Sequence, residues 1–380
     1  MGQIEAFQVM EVQQRAFELE AEGRSIVHME IGQPDFGAPP QVLKAAVRAI
    51  ETEPLSYTAA LGLPALRQAI ADFYLKRYGL AIEADRVIVT AGASGAFLLA
   101  LAALIEPGAE VLMPDPCYPC NRNFVRLFGG KAHAIPVDEA QAYQLRAVDI
   151  ATHWKTDTRG IMVANPSNPT GTGIVATELA ALVESVERRD GFVLVDEIYQ
   201  GLYYGQEAQR SALEISDRIF VVNSFSKYFG MTGWRLGWLI APKEVVRDIE
   251  RLAQNAFICV SVPAQHAALA AFEADTLEVL EQRRQEFAQR RAFLLPRLRQ
   301  MGFRIPIDPD GAFYIYAGCE NFSADSHTFA MQLLEEAGVA LTPGGDFGTA
   351  DALRYVRIAY TRPVPELEEG LARIRAFLGI

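Results

Sequence analysis

Only six lysines occur in the 380 residues, and the surroundings of Lys227 could make it reactive. The apolar run at residues 218–223 reads as a buried strand, because Ile219, Phe220, Val221 and Val222 are all β-branched or aromatic. It ends in Ser224-Phe225-Ser226-Lys227, and Gly230, Gly233 and Gly237 follow, with Arg235 among them. Open α/β sheets bind ligands at the C-terminal ends of such strands. A lysine held there is poorly solvated, so its pKa falls and the free amine can act as a nucleophile. The Ser224 and Ser226 hydroxyls and the Arg235 guanidinium suit a phosphate. Together these groups suggest a phosphorylated aldehyde held as a Schiff base. A solvated strand end is the plain alternative for such a lysine. The other five have ordinary settings: Lys44 and Lys76 in amphipathic helical patterns, Lys155 in a polar loop, Lys131 opening a strand and Lys243 opening a helix.

Three more stretches place polar groups at strand ends. In TAGASGA (residues 90–96), Ala93, Ser94 and Gly95 could cradle an anion with backbone N–H groups at a helix N-terminus. An ordinary tight turn would look the same, and the stretch is neither GxGxxG nor a P-loop, which weakens nucleotide binding. In NPSNPTG (residues 165–171) two Asn-Pro steps hold the backbone extended, so that an amide could donate to a phenolate-like oxygen. A capping or Asx turn is the alternative there. In VLVDEIY (residues 193–199) Asp196 closes an apolar strand, where a carboxylate is costly to bury without a cation. A protonated pyridine nitrogen would be that cation, and so would a nearby arginine. At about 3 Å and an effective dielectric of about 20, the gross attraction is roughly 5 kcal/mol. That raises a ring pKa by a few units and maintains the ring as an electron sink. Tyr199 could share the ring oxygen with Asn168, and Tyr118, in DPCYP (residues 115–119), could stack on a flat ring.

Cys117 and Cys120 have the C-x-x-C spacing, but no second cysteine pair and no thioredoxin-like context accompany them. The histidines His28, His133, His153, His266 and His327 show no ligand spacing, so no metal is expected.

These side chains need strands that end along one edge. Helical periodicity predicts helices over residues 10–22, 41–51, 64–78, 95–105 and 177–188. Short apolar runs predict strands over 25–31, 86–90, 110–114, 132–137, 160–164, 192–195, 219–223 and 236–240. Such runs between helices indicate an α/β fold with a mostly parallel sheet covered on both faces. From about residue 263 a helical segment rich in Glu, Gln and Arg runs to about residue 300. Strands at 313–316, 339–342 and 353–358 and a closing helix at 365–378 complete a smaller α+β domain. The expected division is an N-terminal segment (1–40) packing with the small domain, a large domain (41–280) and a small C-terminal domain (281–380).

Half of the residues are hydrophobic, enough for a large core, and the length suits two domains. A net charge of −12 without a basic cluster argues against nucleic acid and membrane-surface partners. No apolar run approaches membrane-spanning length. The N-terminus reads as no signal peptide, and Ala6 stands where a myristoylation motif needs Ser or Thr. Four cysteines in so long a chain suggest a reducing cytoplasm.

Taken in order, IGQPDF, TAGASGA, DPCYP, NPSNPTG, VDEIY, SFSKYFGMTGWRLG and YVRIAY resemble the class I/II, aspartate-aminotransferase-like enzymes of fold type I, from about residue 4 onward. The resemblance implies pyridoxal 5'-phosphate as cofactor, a homodimer, and transfer of an amino group from an L-amino acid to a 2-oxo acid such as 2-oxoglutarate by a ping-pong mechanism. It implies that Lys227 is the Schiff-base lysine and proton-transfer base, and that Asp196 contacts the pyridine nitrogen. Asn168 and Tyr199 then contact the ring oxygen, and Tyr118 stacks on the ring. Ala93, Ser94, Ser224, Ser226 and Arg235 match phosphate-site positions, and Tyr57 reaches the phosphate of the neighbouring subunit. Arg357 matches the fork on the substrate α-carboxylate, with Gly32 and Asn168 beside it. Ala93 and Gly95 depart mildly from the commoner phosphate loop, and no second arginine for a dicarboxylate is identifiable. A β-eliminating C–S lyase would use the same residues. A non-catalytic cofactor-binding regulator would need a fused DNA-binding domain.

Overall fold

The computed structural model describes residue 4, residues 7–205 and residues 210–380; the Met-Gly start and Ala6, and with them part of the 1–40 segment, lie outside the described residues. The chain opens with α1 (Gln8–Ala21), β1 (Val27–His28), α2 (Pro40–Thr52) and α3 (Pro64–Tyr78). Strands and helices then alternate: β2 (Val87–Thr90), α4 (Gly92–Leu104), β3 (Glu110–Asp115), α5 (Pro119–Leu127), β4 (Lys131–Pro136), α6 (Ala147–His153), β5 (Thr158–Ala164), α7 (Ala176–Glu187), β6 (Phe192–Asp196), β7 (Phe220–Ser224) and β8 (Gly237–Ile240). The remainder comprises α8 (Val246–Ala256), α9 (Val262–Leu269), α10 (Ala274–Gln300), β9 (Tyr314–Gly318), α11 (Ser326–Gln332), β10 (Val339–Ala340), β11 (Thr342–Pro343), β12 (Tyr355–Ala359) and α12 (Val364–Leu378).

The central sheet has the order β2-β8-β7-β6-β5-β3-β4, and β8 runs antiparallel to both its neighbours. The pairings from β7 through β4 are all parallel. Alternate residues of each strand feed two apolar layers. Val193 and Val195 of β6 face the layer that holds Leu179, Leu182 and Val183 of α7. Leu194 faces the layer that holds Ala96, Phe97 and Leu101 of α4. Strands buried on both faces explain why the sequence shows continuous apolar runs rather than alternation.

A second sheet, β11-β12-β9, is antiparallel, and β1 pairs in parallel with β10 alone. The run at 339–342 was expected as one strand, but it breaks at Leu341. Val339 and Ala340 join β1, while Thr342 and Pro343 join β12, so its two halves belong to different sheets. The expected strand at 25–31 keeps only two laddered residues, because β10 offers no more partners. The long helical segment is interrupted at Ala270–Phe272 by a 3₁₀ turn, followed by extended Glu273. The short helices α5 and α6 were not expected. α5 carries Pro119, Cys120 and two asparagines, all weak helix formers, and α6 has seven residues.

Candidate functional site

Strands β3, β5, β6 and β7 run parallel, so their C-terminal residues Asp115, Ala164, Asp196 and Ser224 lie along one edge. The loops after them, the turn before β8 and the first turn of α4 enclose a cavity of about 360 Å³. Lys227, Asp196, Asn168, Tyr199, Tyr118, Ala93, Ser94, Ser224, Ser226, Arg235, Gly32 and Arg357 all line it. Tyr57 does not; it stands 80% exposed on the surface.

Lys227 Nζ donates to the Gly32 carbonyl at 2.5 Å and lies 5.8 Å from the ring centroids of Tyr199 and Phe313. Burial draws its pKa down to about 8, and the Arg357 charge acts in the same direction, while Asp196 opposes it. Asp196 is buried, and its Oδ1 accepts the Ile198 N–H at 3.0 Å. Burial pushes this carboxyl up to about 7, against the pull of that N–H and of Lys227. Among the described residues no arginine forms an ion pair with it. Glu197, the next residue, points out of the cavity and takes the Ser211 hydroxyl and the Ala212 N–H.

Arg357 is buried on β12. Its Nη1 donates to Asn168 Oδ1 at 3.0 Å, and its Nη2 donates to Glu30 O at 2.8 Å and Thr342 Oγ1 at 3.2 Å. Among the described residues its Nε has no partner. With its oxygen accepting from Arg357, the Asn168 amide can turn its N–H groups to the cavity. Tyr314 and Phe347 stack on the guanidinium, at 4.2 and 4.9 Å from their ring centroids.

At the opposite end, α4 begins at Gly92, three residues earlier than expected. The N–H groups of Ala93 and Ser94 therefore belong to its first turn and find no partner within the helix. Ser224 Oγ donates to Ser226 Oγ at 2.9 Å, and Thr232 Oγ1 donates to Ser226 O at 2.7 Å. Arg235 has φ +52°, a strained region for a residue with a Cβ, and its Nη1 donates to Thr232 O. Gly92 has φ +70°, and a Cβ there would sit 2.7 Å from Arg235 Nη2. A Cβ on Gly237 would sit 2.9 Å from Ala93 N. The two glycines thus leave room for the guanidinium against the helix N-terminus.

This arrangement fits pyridoxal phosphate at three points. Free N–H groups, two hydroxyls and an arginine would take the phosphate. Asp196 would receive a cationic ring nitrogen that its burial otherwise lacks. Lys227 lies between them with a depressed pKa, suited to bonding an aldehyde carbon.

Several lining residues were not foreseen. Tyr314, Phe347 and Thr232 come from elements whose register or turn geometry the sequence does not display. Phe7, which precedes α1, and Val9, Met10 and Gln13 of its first turns form an outer wall. That wall is fastened by Asp346, whose carboxylate accepts the Gln8 and Val9 N–H groups at 2.6 and 2.7 Å. Cys117 and Cys120 are unpaired, and burial pushes the Cys117 thiol up to about 12. Among the described residues no group of His, Cys, Asp and Glu could hold a metal ion.

A profile of the family described as aminotransferase class I and II matches residues 24–374. The chain is 41% identical to the valine–pyruvate aminotransferase of Mycobacterium tuberculosis over 373 residues, 98% of this chain and 96% of that protein. An aminotransferase crystal structure from Mycobacterium tuberculosis superposes with a TM-score of 0.96 at 40% identity, covering 99% of this chain and 97% of the other. The aspartate aminotransferase of Thermotoga maritima superposes with a TM-score of 0.93 at 32% identity, covering 100% and 99%.

Proposed function

We propose a function from one premise: this chain belongs to the aminotransferase class I and II family. It is a pyridoxal-phosphate-dependent transaminase with the fold type I architecture. Bound pyridoxal phosphate supplies the carbonyl that takes up the amino group and the electron sink for charge left at the substrate Cα. Lys227 Nζ holds the cofactor in its resting state, then accepts the Cα proton and releases it again. Asp196 keeps the ring nitrogen charged. Asn168 and Tyr199 donate to the ring oxygen, and Tyr118 covers the ring face. Ala93, Ser94, Ser224, Ser226 and Arg235 bind the phosphate. Arg357, with Asn168 and Gly32 beside it, forks onto the substrate α-carboxylate. The observation that carries this reading is the convergence in one cavity of a low-pKa amine, an aspartate with no arginine partner and a guanidinium whose Nε is unpartnered, both among the described residues.

Beyond Lys227, Arg235 and Arg357, the cavity lining holds no lysine or arginine among the described residues. Val9, Met10, Ile31, Ile198 and Phe347 line it as well. This supports a neutral amino-acid donor with an apolar side chain, as the name of the valine–pyruvate relative also suggests. The test is a panel of amino acids without acceptor. Each reactive donor should stop after about one equivalent per site, leaving free 2-oxo acid, and added pyruvate or 2-oxoglutarate should restart turnover. Valine is expected to outpace aspartate. Sustained release of ammonia and pyruvate from a cysteine-type donor, with no half-reaction on any other amino acid, would establish the β-eliminating lyase instead.

We further infer a homodimer in which Tyr57 reaches the partner's phosphate site, since it stands exposed outside its own cavity. Light scattering at assay concentration should give twice the chain mass; an active monomer would refute the assignment. The division into 1–40, 41–280 and 281–380 is retained as a proposal, with its second boundary inside α10. A cytoplasmic location suits four unpaired cysteines, and no helix among the described residues is long and apolar enough to cross a membrane.

A further inference from the structure

Tyr314 lies on β9, which pairs antiparallel with β12 so that Tyr316 stands opposite Arg357 and Tyr314 opposite Ala359. Positions two apart share a face, so Tyr314 and Arg357 are diagonal neighbours on one side of the sheet. The Arg357 guanidinium carbon lies 4.2 Å from the Tyr314 ring centroid. The same side chain reaches across the cavity floor, where its hydroxyl meets the Tyr199 hydroxyl at 2.8 Å. Tyr199 comes from a different element, the turn after β6. Tyr314 is 1% exposed, so its hydroxyl has no water to fall back on. A Cβ on Gly32 would lie 2.5 Å from that hydroxyl, and the Gly32 carbonyl is the acceptor for Lys227 Nζ.

We propose that Tyr314 is a positioning residue for both halves of the site, fixing Tyr199 through its hydroxyl and Arg357 through its ring. The proposal rests on the roles assigned above to Tyr199 and Arg357. The charged and titratable groups facing the tyrosine pair include Asp196, Lys227, Arg357, Tyr118 and Tyr360. Either hydroxyl can donate in the 2.8 Å bond; once the ring oxygen takes the Tyr199 proton, Tyr314 becomes the donor to the Tyr199 oxygen. A hydroxyl that accepts one hydrogen bond becomes a stronger donor of the next. On the other side, a stacked ring holds the guanidinium plane while Nη1 and Nη2 are tied to backbone and side-chain acceptors, so the Nε, without a partner among the described residues, keeps one direction.

Two variants separate the two functions. Tyr314→Phe removes the hydroxyl and keeps the ring; Tyr314→Leu removes both. The first should bind cofactor at the parent stoichiometry, with kcat lowered about tenfold and KM for the amino acid little changed. Its bound-cofactor absorption should change with pH at a midpoint raised by roughly half a unit to one unit, because a weaker donor to the ring oxygen leaves more electron density to hold the nearby proton. Tyr314→Leu should add a rise in KM of about tenfold. Tyr199→Phe and Arg357→Gln serve as references, expected to move the midpoint and KM respectively at least as far. If Tyr199→Phe moves the midpoint and Tyr314→Phe does not, the proposal is overturned while the functional reading stands. If Tyr199→Phe leaves the midpoint in place, the ring-oxygen role falls and the proposal falls with it. Equal losses of kcat and KM in both Tyr314 variants, at an unmoved midpoint, would mark a merely structural residue. Should Tyr314→Leu not fold, the midpoint in Tyr314→Phe decides alone.

Discussion

Lys227→Ala is expected to abolish turnover and to remove the absorption band of the lysine-bound cofactor. The substitution deletes two functions at once. General-base catalysis alone is worth about 10² to 10⁴ in rate, and the loss of the bonding amine adds to it. The fold should survive, because the side chain is half-buried at a cavity wall and its Nζ bonds only to the Gly32 carbonyl among the described partners. Cofactor should still bind through the phosphate groups at the first turn of α4. Measuring the spectrum and the turnover of the purified variant decides the matter: a parent-like band with parent-like activity would end the assignment.

Asp196→Asn comes next in expected size. The two side chains are nearly isosteric, so packing against β5 and β7 is kept, but the amide cannot hold a charged ring nitrogen. Losing a gross attraction of about 5 kcal/mol should cost up to about 10³ to 10⁴ in rate. Stability should respond in the opposite sense. Burial raises the Asp196 pKa from 3.8 to about 7. A carboxyl whose folded pKa is raised contributes stability that is complete below the unfolded pKa and is lost as pH rises through about 7. The cofactor-free parent therefore carries an unpaired buried charge at pH 8 that the variant lacks. The cofactor-free variant should melt no lower than the cofactor-free parent at pH 8, while the loaded variant turns over orders of magnitude more slowly. A rate near that of the parent would refute the electron-sink role.

The chemistry-bearing residues differ in how plainly the sequence displays them, and the difference is physical. Asp196 and Lys227 each follow an apolar run and precede turn residues, and the placement of Asn168 in its loop after β5 is equally local. A strand end at the edge of a parallel sheet follows from such neighbours without knowledge of any other strand. Tyr314 and the acceptors around Arg357 depend on register. Tyr314 sits opposite Ala359, and Glu30 reaches Arg357 only because β1 lies beside β10. Strands buried on both faces carry no alternation from which a register can be read. The break at Leu341 was hidden for the same reason, since Val339 through Thr342 is apolar or β-branched throughout. The first turn of α1 gave its periodicity but not its docking, because the Asp346 carboxylate that fastens it is about 338 residues away.

The meeting of Glu30 and Arg357 has a consequence for how the enzyme is made. These two residues are 327 positions apart. During synthesis the described strands of the central sheet, Lys227 and the first turn of α4 have left the ribosome once β8 has emerged, well before β12 exists. The nascent chain can thus complete the strand end that carries Lys227 early, whereas the guanidinium proposed to hold the α-carboxylate waits for β12 and for a contact of long sequence separation, the slowest kind to form. The grip proposed for the substrate α-carboxylate is therefore the final part of the site that the growing polypeptide acquires, and a product terminated ahead of Arg357 is expected to lack it.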